Sequence, residues 1–271
     1  MNPQTVALTP MTASAGALYL VPNTLDFGTP GEPPDLLDVL PMGVIRQAAR
    51  LGHWVAENAK TTRAFLKRVD AVVPLAQPLQ ALSIIELPRP RKGAAIPAPP
   101  NTDDLQALRA LLAPALAGHD IGLISEAGLP AVADPGAALV QAAHALAINV
   151  IALPGPSSLL LALAASGLNG QSFAFVGYLP VEAQSRNARI RELEALSRRL
   201  GQTQLMIETP YRNSALLEAL LAQSNPATRL SVSSGLTLAG GFTHTASIAA
   251  WRASPRALAA DVPAVFALLA S

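Results

Sequence analysis

The sequence contains no cysteine. That excludes disulfide frameworks, thiolate nucleophiles and cysteine metal sites, and it leaves any catalysis to oxygen and nitrogen groups. It also fits a reducing compartment, so the expected location is cytoplasmic. An excess of one charge is lacking too: the formal net charge is +1. No bulk field draws the chain to nucleic acid or anionic membrane, and such a partner would need a local patch. No apolar run approaches the roughly 20 residues that span a bilayer, the longest being SLLLALAASGL from Ser158, so no membrane partner is expected. The first residues lack the Lys/Arg segment of a secretory signal, and 1–16 read as a flexible tail. Neither GxGxxG after the first strand nor GxxxxGK[ST] occurs, so the usual dinucleotide and P-loop phosphate cradles are missing. His53, His119, His144 and His244 include no pair at metal-ligand spacing, and no metal is expected.

What is present is a core: 51% of 271 residues are apolar, enough for one large domain or two smaller ones. Short apolar strands alternate with helical patterns. ALYLVPN reads as a strand ending at Pro22, the spacing of Val44, Ala48 and Leu51 as a helix, and HWVAEN as a strand ending at Glu57. The Pro-rich segment 89–101 reads as an exposed loop. Thr102 can cap the next helix, with Asp103 and Asp104 in its first turn. IGLIS and NVIALP follow as strands apolar on both faces, each leading through a Gly/Pro-rich turn into a helix.

This alternation predicts a parallel sheet covered by helices, with ligands bound beyond the carboxyl ends of the strands. A second set of elements begins near Gln171 and predicts a smaller mixed α/β domain, joined near residues 166–170. The fold class is therefore α/β with two domains, an N-terminal one over 17–168 and a C-terminal one over 169–271.

Two turns carry the chemistry. The first, at 125–136, reads SEAGLPAVADPG; the second, at 154–158, reads PGPSS. Either could be a tight connection and nothing more. Together at strand ends they suit a ligand, because glycine admits close backbone approach and proline fixes the loop. Asp134 either caps the helix that follows or faces the ligand. Lys60, Arg63 and Lys67 share one helix face, which is either solvated or an anion grip. Arg186, Arg189, Arg191, Arg198 and Arg199 read as surface charges.

Taken in order, these motifs resemble the tetrapyrrole methylase superfamily, the class III S-adenosylmethionine-dependent methyltransferases, and within it the small-subunit ribosomal RNA ribose 2′-O-methyltransferases and their shorter sister group. The family's SDAGTPxxSDPG appears as 125–136, its PGPSA as 154–158, its GF[LP]P as GYLP at 177–180, and its E[SA]PHR as ETPYR at 208–212. The resemblance implies a homodimer, no metal, and S-adenosylmethionine in a cleft between the domains. Its cofactor contacts would be Pro22, Gly128, Leu129, Ala131, Ser157, Ser158, Thr209, Pro263 and Ala264.

For a hydroxyl acceptor the base would be Glu126 or Glu57, with Lys60 orienting, and Lys60, Arg63 and Lys67 would contact an RNA acceptor. A small molecule such as a tetrapyrrole is the alternative acceptor, and a cofactor-binding sensor or assembly factor the non-catalytic alternative. Substrate-side motifs differ from the family's: EDTRxT is replaced by ENAKTT at 57–62, TPIGNL by NTLDFG at 23–28, and RELTK by SGLTL at 234–238.

Overall fold

The computed structural model describes residues 15–26, 29, 31–88 and 102–271, with the backbone alone over 102–105. Most of the expected tail, the expected loop at 89–101 and the side-chain cap expected of Thr102 lie outside the described residues. By internal contacts the chain divides into two compact units, Met1–Pro22 with Met42–Pro154, and Asn23–Pro41 with Gly155–Ser271. The division thus falls at 154/155 and not at 168/169, and the second unit is as long as the first.

Strand β1 (Ala17–Leu20) opens the first unit, and the segment belonging to the second unit then supplies a short helix α1 (Leu36–Val39). The first unit resumes with α2 (Met42–Arg50), β2 (His53–Ala56), α3 (Ala59–Val72) and β3 (Ser83–Glu86). It is completed by α4 (Thr102–Leu111), α5 (Ala113–Leu116), β4 (Ile121–Ile124), α6 (Ala137–Ala145) and β5 (Asn149–Ala152). Gly16, expected in the tail, is buried and donates its N–H to the Ala115 carbonyl at 2.9 Å.

The sheet has the order β3-β2-β4-β1-β5 and every pairing is parallel. Connections from β1 and β2 run one way along the sheet and those from β3 and β4 run back. Right-handed crossovers therefore put α2 and α3 on one face and α4 and α6 on the other, and each pair packs together. On the α4/α6 face Leu18, Val55, Ile121 and Leu123 meet Leu108, Leu112, Leu139 and Ala143. Each such Leu, Ile or Val side chain, fully buried, contributes about 1.5–3 kcal/mol.

Trp54 and Gly122 explain each other. They are register partners on β2 and β4, and a Cβ at Gly122 would fall 2.7 Å from the Trp54 ring. A mid-strand glycine, normally a weakness, here makes room for a buried indole whose N–H donates to the Leu51 carbonyl at 3.1 Å.

The second unit contains α7 (Ser158–Ser166), β6 (Phe173–Tyr178), α8 (Ala183–Leu200), β7 (Thr203–Ile207) and α9 (Asn213–Gln223). It ends with β8 (Arg229–Ser234), β9 (Phe242–Ser247), α10 (Ile248–Ala253) and β10 (Ala264–Leu269). Its sheet order is β6-β7-β10-β8-β9, parallel between β6 and β7 and antiparallel elsewhere.

The strand period of two sorts its side chains. Ala264, Phe266 and Leu268 of β10 join Met206, Ile190, Leu193 and Leu220 in one core. Val265 and Ala267 join Leu205 in another, covered by Leu159, Ala162 and Leu163 of α7. That apolar cover is why α7 belongs to the second unit although the sequence pattern groups it with the first. Among the described residues no helix is long and apolar enough to cross a membrane.

Candidate active site

All strands of the first sheet point the same way, so their carboxyl ends share one edge. Pairing continues one residue beyond β1, β2, β3 and β5. Val21 N–H donates to Leu123 O at 2.8 Å, Glu57 N–H to Ile124 O at 3.1 Å, Leu87 N–H to Ala56 O at 2.8 Å and Leu153 N–H to Leu20 O at 3.1 Å. The loops after β1, β2, β3 and β5 therefore leave this edge from fixed points and carry Pro22 and Glu57 among the expected site residues, and the 125–136 turn leaves the same edge from β4.

Carboxylates bind these loops together. Glu57 Oε2 accepts the Glu126 N–H at 3.0 Å. Asn58 caps α3, its Oδ1 accepting from Lys60 N–H at 2.9 Å and Thr61 N–H at 3.3 Å. Glu86, at the end of β3, accepts the next free amide, that of Ala59, at 2.8 Å; an acid suits a helix N-terminus.

Crowding of like charge then shows in protonation. Burial pushes the Glu126 carboxyl up and Glu57 adds to it, while side-chain hydrogen bonding with Thr61 and Asn58 pulls it back. Asp134 goes further: burial first, then Glu57 and Glu126, push its carboxyl from 3.8 to about 7. A carboxyl balanced near neutrality can take and return a proton at physiological pH, which is what general acid–base catalysis requires.

The turn that carries Asp134 is held in an uncommon shape. Gly128, Ala131, Ala133 and Gly136 all have positive φ, at 67°, 66°, 64° and 131°. The left-handed region costs a non-glycine residue about 1–2 kcal/mol, and strain of this kind gathers at functional loops. Helix α6 starts after Gly136 with no side-chain cap, so the capping role expected as one option for Asp134 is overturned. Two residues of turn separate Asp134 from the helix.

The expected basic face is real as geometry. Thr62, Phe65, Leu66 and Val69 of α3 are buried, which leaves Lys60, Arg63 and Lys67 together on its exposed side. Four of the α8 arginines have partners: Arg186 donates to the Val181 carbonyl at 3.0 Å, Arg189 pairs with Glu192 at 2.7 Å, Arg191 bonds Gln223, and Arg198 donates to the Ser271 carbonyl at 2.9 Å. His53 and His119 lie ring to ring at 5.3 Å, and His244 packs edge-on to Trp251 at 4.7 Å. Among the described residues no group of three or more potential ligands could hold a metal.

In the second unit, Ser157 is the buried N-cap residue of α7 and makes no side-chain cap bond; Ser158 is the first helical residue. Thr209, Pro263 and Ala264 come together at one edge of the second sheet. Glu208, buried, accepts from the Thr209 N–H at 2.8 Å and its hydroxyl at 3.2 Å, and pairs with Arg212 at 2.9 Å. Asn213 donates to the Val262 carbonyl at 3.0 Å, and Gly235 donates to the Pro263 carbonyl at 3.0 Å.

Sequence reasoning missed Glu86, Glu208 and Asn213 as organising groups. The first ends SIIE, a strand too short to show a period, and the others only acquire meaning once β7 and β10 are neighbours.

Comparison with known proteins agrees with this architecture. Residues 59–249 match the tetrapyrrole (corrin/porphyrin) methylases. The ribosomal RNA small subunit methyltransferase I of Pseudomonas aeruginosa is 42% identical over 103 residues, 38% of this chain and 34% of that protein. The protein of the same name from Halalkalibacterium halodurans is 35% identical over 206 residues, 76% of this chain and 60% of that one. The matches thus span less than two thirds of either relative. The crystal structure of the methyltransferase CobJ superposes with a TM-score of 0.55 at 17% identity, covering 95% of each chain, which supports the fold alone. The chain belongs to the tetrapyrrole methylase family.

Proposed function

We propose that the protein is an S-adenosylmethionine-dependent methyltransferase whose acceptor is an RNA ribose hydroxyl, a reading supported by its similarity to proteins named ribosomal RNA small subunit methyltransferase I. The observation that carries the methyl-transfer reading is the 125–136 turn, where glycines and strained alanines present backbone at the carboxyl edge of a parallel sheet beside carboxylates.

The residues fit the cofactor. In the first unit Gly128 and Ala131 present backbone without bulky side chains on either side of Leu129, and Pro22 follows β1; in the second unit the hydroxyl of Ser157 makes no cap bond at the start of α7. Thr209, Pro263 and Ala264 would supply further contacts. When bound, S-adenosylmethionine supplies an electrophilic methyl group on a sulfonium, so the protein's work is alignment, exclusion of water and proton removal.

For the proton, Glu57 and Glu126 are the weaker choices, since both are engaged in bonds that tie the loops together. Asp134 is the better base: its carboxylate accepts the hydroxyl proton as the oxygen takes the methyl group. Lys60, Arg63 and Lys67 would meet RNA phosphate, which predicts salt-sensitive binding. On this reading the protein acts as a cytoplasmic homodimer.

Isothermal titration with S-adenosylmethionine and S-adenosylhomocysteine, followed by labelled-methyl transfer to ribosomal RNA, tests the proposal. Binding lost in Ser157→Trp, with label recovered as 2′-O-methylnucleoside, supports it. An intact protein that binds neither compound refutes it.

A further inference from the structure

The second unit contains a cavity of about 470 Å³ that none of the site residues above was expected to form. Its walls come from Gly31, Glu32 and Pro34, from the 234–242 turn after β8, and from Ala257, Ala259 and Val262. The volume falls among pockets that hold one small ligand, roughly 300–1,000 Å³. The turn corresponds to the segment where the family's RELTK is replaced by SGLTL, so uncharged side chains stand where the family pattern has charged ones. Gly235, Thr237 and Gly240 have positive φ there, at 64°, 67° and 80°.

The cavity adjoins the residues assigned to the cofactor. Val262 precedes Pro263 and Ala264; Gly235 bonds the Pro263 carbonyl, and Ser234 is the register partner of Ala264. A pocket in that position is placed for the acceptor.

Its chemistry narrows the occupant. Ser234, Thr237 and glycine backbone offer donors and acceptors to the edge of a planar group, and the single charged residue of the lining is Glu32. A carboxylate is an acceptor suited to an exocyclic amino group. The guanidinium of Arg256 lies over the ring of Phe242, a wall residue, at 3.9 Å, a stacked arrangement that leaves its N–H edge for an anion. A macrocycle bearing several carboxylates would need more cations than this and would meet Glu32.

Resting on the RNA reading above, we propose that this cavity holds the base of the acceptor nucleotide, with Glu32 accepting from its amino group and Arg256 gripping the adjoining phosphate.

The test uses saturation-transfer NMR of the full chain, saturated with S-adenosylhomocysteine, against the four nucleoside 5′-monophosphates. AMP, CMP and GMP bind about fivefold or more tightly than UMP, and Glu32→Ala removes the preference. Arg256→Ala weakens all four and abolishes the advantage of a monophosphate over its nucleoside. Ala257→Trp, at an exposed wall position, abolishes nucleotide binding while the S-adenosylhomocysteine Kd stays within about twofold, as expected where sites are distinct. Equal affinity for all four, binding that survives Ala257→Trp, or no nucleotide binding by a protein that holds S-adenosylhomocysteine overturns the inference. A protein that fails to hold S-adenosylhomocysteine fails at the methyltransferase reading instead.

Discussion

The two units treat buried acid in opposite ways. In the first, Glu57, Glu126 and Asp134 gather at one edge of a parallel sheet with backbone amides and neutral side chains around them, and Asp134 is pushed to about 7. In the second, Glu208 is more deeply buried, yet a guanidinium stands 2.9 Å away and the adjoining threonine satisfies its other oxygen. A carboxylate with a fixed cation is a strut, while carboxylates crowded against one another become a proton store. The difference separates carboxylates suited to moving a proton from a carboxylate suited to holding shape.

The largest effect is expected where the strut is broken. Glu208→Ala strands Arg212 beside a desolvated turn and frees Thr209, and should cost about 3 kcal/mol, read as a lower urea midpoint. Gly122→Val strikes the first unit without touching any carboxylate. Its Cβ meets the Trp54 ring at 2.7 Å, and overpacking of this kind costs about 2 kcal/mol. If both variants lose stability but only Glu208→Ala loses S-adenosylhomocysteine affinity, the strut also shapes the cofactor wall.

The proton store should show in pH. Folded Asp134 keeps its proton up to about 7, while the unfolded chain releases it near 3.8. The folded state therefore binds more protons between those values. Its contribution to stability is whole below the lower value and is lost as pH rises through about 7. Asp134→Asn should flatten that decline in urea midpoints, and it should also remove the rise of turnover with pH if Asp134 is the base. An unchanged pH profile would return the first unit's acids to a structural role like that of Glu208.

The smallest effect concerns the loop itself. Ala131→Gly relieves a left-handed residue at φ 66°, but glycine also loosens the unfolded chain, so the net gain is about 0.5 kcal/mol. Turnover should fall while thermal stability holds or rises, since a looser turn presents Asp134 less consistently.

Much of this was legible in the sequence because local rules and global fold agreed there. Apolar strands ending in Gly/Pro turns announced the parallel sheet, and Asn58 and the spacing of Phe65, Leu66 and Val69 fixed α3 and its charged face. What could not be read depended on distant partners. The placement of α7 rests on Leu159 and Leu163 meeting Leu205 and Val265, contacts that no local pattern encodes. The role of Asp134 was hidden for the same reason: a capping position and a titrating one look alike until the carboxylates of Glu57 and Glu126 are seen to bear on it.

The strand order of the second sheet sets a timetable for its assembly. β10, the final strand of the sequence, lies between β7 and β8, so the pairs β6-β7 and β8-β9 are separate ribbons until residues 264–269 arrive. Each ribbon alone exposes an unpaired edge, and closure waits on contacts with high loop-entropy cost. The wall formed by Pro263 and Ala264 is thus tied to the pairing that completes the sheet: what disturbs the seating of β10 between β7 and β8 disturbs that wall as well.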